Sequence, residues 1–412
     1  MKLTDEEKAM LQGIRGEAVR RGMEMQVAVG EFFGAEDMVQ VQSAHVMCTS
    51  DALDDAGATF LEELAGAGGR FVVPTTTNAG SVEFDHVELL QQDPSHVALQ
   101  RRIDTSMVRM GALNCCTCTN YQGIMPPRFG EHLAWGDTGA VIFANAVAGA
   151  RSNFEGGPAA VAAGLTGRTP RYGFHLDATR RGTVRVVVQE QPRTISDWGT
   201  LGCFIGRKVD DYWQVPVLEG NLGYPDVDRL KHLGASLASY GSLAMFHIPG
   251  ITPEIRSTEE AFGLREPDRI IEVHPGALRE TYDSFPAGDG SVDLVIFGTP
   301  HLSLMEVHDL ARRLEGKRVN ANVKLLLTTS SLVKSMAERL GLVRIIEEAG
   351  GTFLCGVCFY LMYPAEIARK LGVRSLATNS AKLANIIAGA GIRPVLRDEE
   401  TCIQAAVTGR VE

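Results

Sequence analysis

From about residue 266 the chain alternates short apolar runs with helix-period segments, and this alternation constrains its fold more than any other feature. Strands are expected at 270–273, 292–297, 323–328 and 352–354, each followed by a helix. Repeated strand–helix–strand units of this kind build a parallel sheet covered by helices on both faces. Such a sheet gathers ligands at the carboxyl ends of its strands. Gly298-Thr299-Pro300-His301 and the loop 355–358 fall at two such ends.

Earlier in the chain the signals are softer. Thr4 and Glu7 form a capping box for a first helix. A strand is expected at 39–46, a helix at 51–65, and a strand at Phe71-Val72-Val73 that ends in the polar loop 74–78. Asp93 followed by Pro94 starts a helix over 94–110. Helices are also expected at 135–148, 158–165 and 226–240, the last stopped by Gly241, with strands at 184–189 and 243–248. With 412 residues, the chain exceeds what one core usually supports. Three α/β domains are expected, at 1–115, 116–255 and 256–412.

The net charge of −10, without a basic run, argues against a nucleic-acid partner. No apolar run reaches the length of a membrane span, and residues 1–8 read as a capped helix with no signal-peptide core, so the cytoplasm is the expected compartment.

Five of the eight cysteines lie in two distant groups, Cys115, Cys116 and Cys118, and Cys355 and Cys358. Grouped cysteines in such a chain point to metal or catalysis rather than disulfides, with buried packing as the plain alternative. A compact zinc ribbon needs paired CxxC elements at short range, which this spacing lacks. A helix expected to open at Ser380-Ala381-Lys382 offers free N–H groups and an ammonium to a substrate anion. His301 sits between a strand and a helix, as an acid–base group or a capping residue. Arg151, in a Gly-rich turn, is a candidate for gripping a carboxylate.

In this order, SAHVM at 43–47, PTTTNA at 74–79, CTCTNYQG at 116–123 and GEHLAWGDTGAVIFANAVAGARSNFEGGP at 130–158 resemble the large, catalytic part of aconitase X, a branch of the aconitase superfamily. TGRTPRYGFHLDATRR at 166–181, LKHLGASLASYGSLAMFHIPGITPE at 230–254, GTPHLSLMEV at 298–307, TNSAKLAN at 378–385 and CIQAAVTG at 402–409 carry the resemblance across the chain. It implies an α/β, multi-domain aconitase-like fold with parallel or mixed sheets flanked by helices and an interdomain active site. The implied activity is hydro-lyase chemistry, with iron acting as a Lewis acid on a leaving hydroxyl.

By motif, the first and last metal-binding cysteines are Cys118 and Cys358. The family's middle cysteine lies in a Gly-Cys-Pro-His element, where this chain has Thr299. The departure leaves three readings: Cys355 or Cys116 substitutes; the site holds another cluster or a mononuclear iron instead of the usual iron–sulfur cluster; or activity is lost. Asn120, where relatives usually carry Pro, is a further candidate ligand. Gly136-Asp137-Thr138 and Ala79 also depart from the usual pattern. The Ser-x-Lys element places Ser380 and Lys382 in the active site, with Lys382 on the substrate anion. Asn78 matches a substrate-contacting position, and Thr49 and Ser50 fall near another.

In relatives the general base is a Ser on a small swivelling domain. No room for that domain is found here, so the resemblance implies a separate small subunit as partner. The leading expectation is a cis-3-hydroxy-L-proline dehydratase, yielding a pyrroline carboxylate. Its rival is the large subunit of a 5-phosphomevalonate dehydratase. A phosphate substrate calls for a basic pocket, for which Lys382 and a few Arg are the candidates. The third expectation is an inactive or differently metallated paralogue that binds zinc or a single iron.

Overall fold

The structure, a computed structural model, describes residues 1–263 and 265–411. Helices begin where a side chain can satisfy the free N–H groups of a first turn. The Thr4–Glu7 box opens Asp5–Leu11, and Asp93 caps Pro94–Met110, as the sequence indicates. Asp137, Asp226, Ser303, Ser380 and Asp398 do the same for later helices.

Three parallel sheets form the frame. In the first, β2 (Ala44–Val46) lies between β3 (Thr75–Thr77) and β4 (Ala134–Trp135), while β1 (Met38–Gln40) pairs antiparallel with β5 (Arg168–Pro170) to one side. The division expected at residue 115 falls between β3 and β4 of this one sheet. In the second, β6 (Val184–Val188) lies between β7 (Pro216–Gly220) and β8 (Arg269–Val273). The third contains β9 (Leu294–Leu302), β10 (Lys324–Thr329), β11 (Gly351–Cys355), β12 (Ser375–Thr378) and β13 (Arg393–Leu396), in the order β11-β10-β9-β12-β13. Every residue of β9 is buried. Val295 and Phe297 join one core and Leu294 and Ile296 another, so helices cover both faces. The chain runs outward from β9 to β11 and then returns to β12 on the other flank. The crevice between the ends of β9 and β12 is therefore the switch point where α/β sheets bind ligands.

Some expected elements fall elsewhere. Thr75–Thr77, expected as a loop, is the buried strand, and Phe71-Val72-Val73 is not. The Phe71 and Val72 N–H groups bond Met110 and Gly164 carbonyls instead, and Val72 is exposed. The expected strand at 243–248 is buried but bridges only at His247, and Asn145 Nδ2 takes the Ala244 carbonyl. The run 39–46 breaks into β1 and β2, and the helix expected at 135–148 is shortened to Thr138–Ala146 because Ala134–Trp135 pairs in the sheet. No described helix is long and apolar enough to cross a membrane.

Candidate active site

Six strand ends converge on one buried region, called the hollow below. β2 runs into Met47, Cys48, Thr49 and Ser50; β3 into Asn78 and Ala79; β4 into Gly136 and Asp137. From the third sheet, β9 contributes Thr299 and His301, β11 leads to Cys358, and β12 to Ser380 and Lys382. The turn after the first cysteine group adds Cys118 and Asn120.

Cys118 and Cys358, distant in sequence, lie with their sulfurs 3.8 Å apart, both buried against Ala79 and Leu361. One ligand-bearing atom of His301 completes a group in which all three lie within 4.8 Å of one another. The Cys358 thiol donates to Cys118, and with the His301 N–H at 3.3 Å it draws the Cys118 thiol down to about 6 despite burial. The same bond, together with burial, holds Cys358 well above the usual thiol range. One sulfur of the pair is thus poised as a thiolate.

The donor set fits a metal or iron–sulfur cofactor. Two sulfurs bound to one tetrahedral ion at ~2.3 Å each stand about 3.8 Å apart, the separation seen here. Around them lie buried polar atoms without hydrogen-bond partners: Thr299 Oγ1, both side-chain heteroatoms of Asn120, Asn78 Oδ1, and the Thr49 and Ser50 hydroxyls. Buried polar groups are rarely left unpaired, and a cluster of them around two thiols is what a ligand-binding hollow presents. Thr299→Val tests one of them. Removing the orphan hydroxyl at constant shape should stabilise the metal-free protein by about 1 kcal/mol and weaken metal binding roughly tenfold. Unfolding midpoints and a metal titration read the two effects, and an unchanged metal affinity would place the hydroxyl outside the metal's reach.

Cys116 and Cys355, the expected substitutes for a third thiolate, are not in this group. Burial pushes Cys116 up to about 12; its sulfur lies 3.5 Å from Asn114 Oδ1, and its Cβ crowds Gly356. Burial also raises Cys355, whose N–H faces Glu83. His301 is the third member of the group, but its ring is already tethered. Nε2 donates to the Val357 carbonyl at 2.8 Å, and Nδ1 lies 3.0 Å from Thr117 Oγ1. A ring with both nitrogens engaged fixes the loop. Ser380 is engaged likewise, donating to the Thr299 carbonyl and accepting from the Leu383 N–H. Arg151 is absent from the hollow; it bonds the His175 carbonyl and pairs with Asp177.

Lys382 is 4% exposed, with Nζ 3.9 Å from Asp137 Oδ2 and 5.8 Å from the Tyr360 ring centroid. Asn78 Nδ2 approaches the same carboxylate at 3.5 Å. Asp137 escapes a sequence reading that treats it only as a departure from a pattern; its signal is an N-cap acid directly beyond a buried strand. Lys231 escapes as well. It is fully buried, binds the His301 carbonyl at 3.2 Å, and pairs with Glu306 and with Asp228 at 3.1 Å. Burial opposes charge on Glu306, but Lys231 and His232 hold its carboxyl at about 2. Gln122, beyond the first cysteine group, and Ser303, beyond β9, both bond Asp228, so the network ties three parts of the chain to the His301 loop.

Comparison with known proteins identifies the family. Residues 1–178, 182–283 and 292–408 match models of the first, second and third domains of aconitase X. The phosphomevalonate dehydratase large subunit of Thermococcus kodakarensis is 35% identical over 98% of this chain and 100% of its own length. The cis-3-hydroxy-L-proline dehydratase of Pseudomonas aeruginosa is 34% identical over 98% of this chain and 70% of its own. The crystal structure of Thermococcus kodakaraensis aconitase X in its holo-form superposes with a TM-score of 0.88, at 34% identity over 98% of this chain and 100% of that one. The chain belongs to the aconitase X family and is a carbon–oxygen hydro-lyase, a dehydratase.

Proposed function

We propose that this chain is the large subunit of a dehydratase acting on cis-3-hydroxy-L-proline, with a single iron ion held by Cys118 and Cys358. The observation that carries the substrate is the charge pair in the hollow: one cation, Lys382, and one carboxylate, Asp137, 3.9 Å apart. An imino acid is a zwitterion of matching charges. Its carboxylate is placed on Lys382 and its ring ammonium on Asp137, which directs C2 and C3 toward the cysteines. A metal held there supplies Lewis acidity for the departing 3-hydroxyl. The proton leaves C2, its electron pair forms the ring double bond, and hydroxide leaves C3; tautomerisation then gives the pyrroline carboxylate.

Lys382 also stabilises the charge that builds on the carboxylate as C2 is deprotonated. Asn78, Thr49 and Ser50, with unpaired polar atoms, line the substrate side, and Thr299 and Asn120 line the metal side. His301 and Ser380 hold the loops that present these groups. The general base is assigned to a Ser of a small partner subunit; the "large subunit" in the names of the Thermococcus and Methanocaldococcus jannaschii relatives supports the partner. Those names also support the second reading, phosphomevalonate as substrate, in which further cations for the phosphate would come from the partner.

The deciding experiment combines anaerobically purified chain with its small partner, measures iron and sulfide, and assays both substrates. Iron without stoichiometric sulfide and turnover of cis-3-hydroxy-L-proline are expected. Turnover of phosphomevalonate alone would overturn the substrate, and stoichiometric sulfide would overturn the single ion.

A further inference from the structure

A second cavity, of about 600 Å³, opens between the first and second units. Five aromatic side chains, Phe33, Phe154, Tyr172, Tyr212 and Trp213, line it together with one carboxyl group, Glu155. The size lies within the range of small-molecule sites, and mostly apolar walls with a few placed polar groups are what such sites present.

The walls are built rather than loose. Phe33 stacks on Tyr172 with centroids 4.4 Å apart, and Tyr212 meets Trp213 edge to face at 4.7 Å. Phe154 meets Tyr212 edge to face at 5.2 Å. The Tyr212 hydroxyl accepts from the Phe154 N–H and lies 3.4 Å from Asn153 Oδ1, which fixes that ring in place.

Glu155 is 2% exposed, and the hydrogen bond to its carboxylate comes from Thr169 Oγ1 at 2.8 Å. Among the described residues, no Lys, Arg or His forms an ion pair with it. A buried carboxylate without a cation is costly and is usually paired. Burial accordingly raises this carboxyl to about 7, where a nearby positive charge would ionise it.

We propose that this cavity is a binding site for an organic cation, with an ammonium group beside Glu155 and its apolar body against the aromatic walls. The rings present negative faces to a cation, and a desolvated cation–π contact adds to the carboxylate's attraction. An anion gains no such attraction from Glu155, and a neutral ligand gains only the apolar contact. The site uses none of the residues assigned to dehydration, so it stands whichever hydroxy acid the enzyme takes.

The test uses the full chain and three probes with the same ring: benzyltrimethylammonium, benzyl alcohol and phenylacetate. Calorimetry and tryptophan fluorescence follow binding. The cation is expected to bind saturably, at least roughly tenfold more tightly than benzyl alcohol, with no binding of phenylacetate. Glu155→Gln should weaken cation binding roughly tenfold. Trp213→Leu, on the exposed wall where the fold is not at stake, should weaken it too and remove the fluorescence response. No saturation by about 10 mM, equal binding of benzyl alcohol, or unchanged affinity in Trp213→Leu would each overturn the proposal.

Discussion

Replacing Cys118 with Ser is expected to strip the protein of its metal and cut turnover roughly a thousandfold, because a Lewis acid at a leaving hydroxyl supplies several kcal/mol and about 1.4 kcal/mol is tenfold. Two features single out this sulfur. It lies 3.8 Å from Cys358, and it accepts the His301 N–H. A serine hydroxyl is a hard, weakly acidic donor in a place that favours a soft thiolate. Cys358→Ser should behave alike. Cys116→Ser and Cys355→Ser are the controls: their thiols lie outside the donor group, with proton affinities raised by burial, and metal content should stay near that of the parent. Metal analysis and steady-state kinetics on the four variants separate the sets. Loss of metal in Cys355→Ser with retention in Cys118→Ser would reverse the assignment of the donor group.

What could be read from the sequence follows from how local each signal is. Helix starts were legible because a cap is a contact across three residues, as at Thr4 and Asp93. The third sheet was legible because its strands are apolar on both faces. The first sheet was not. β3 is three threonines whose pairing depends on β2, whereas Phe71-Val72-Val73 has strand composition but bonds helix-end carbonyls instead of a strand. β4 has only two residues, too few for any periodic pattern, and so the sheet spanning residue 115 left no trace.

The candidate site divides along the same line. Cys118 and Cys358 stood out through ordered motifs, and the structure brings them together. Cys116 and Cys355 shared their local sequence but not their direction: a positive φ of 45° at Cys116 turns its side chain toward Gly356. Arg151 looked free in a Gly-rich turn, yet Asp177, which claims it, lies beyond β5. Lys231 carries no local signal within its helix, and Glu306, which pairs with it, comes from another unit. Long-range pairing of charge is the part of such a site that local pattern does not carry.

That pairing makes the second large effect calculable. Lys382→Met should lower kcat/KM by about three orders of magnitude, because truncating one partner of a buried charge pair costs 2–5 kcal/mol, with about 1.4 kcal/mol per tenfold. Two losses combine. The substrate carboxylate loses its counter-charge, which raises KM. As C2 is deprotonated, the negative charge growing on that carboxylate also goes unanswered, which lowers kcat. Asp137, 3% exposed, meanwhile keeps Asn78 but loses the Lys382 ammonium, which leaves a buried carboxylate without that partner. Adding Asp137→Asn to Lys382→Met removes the stranded carboxylate and should restore the unfolding midpoint while leaving turnover low. A role for Lys382 in stability alone predicts the opposite: midpoint and turnover would recover together in the double variant. Kinetics and melting curves on the two single variants and their combination therefore distinguish an anchor for the substrate from a strut for the fold.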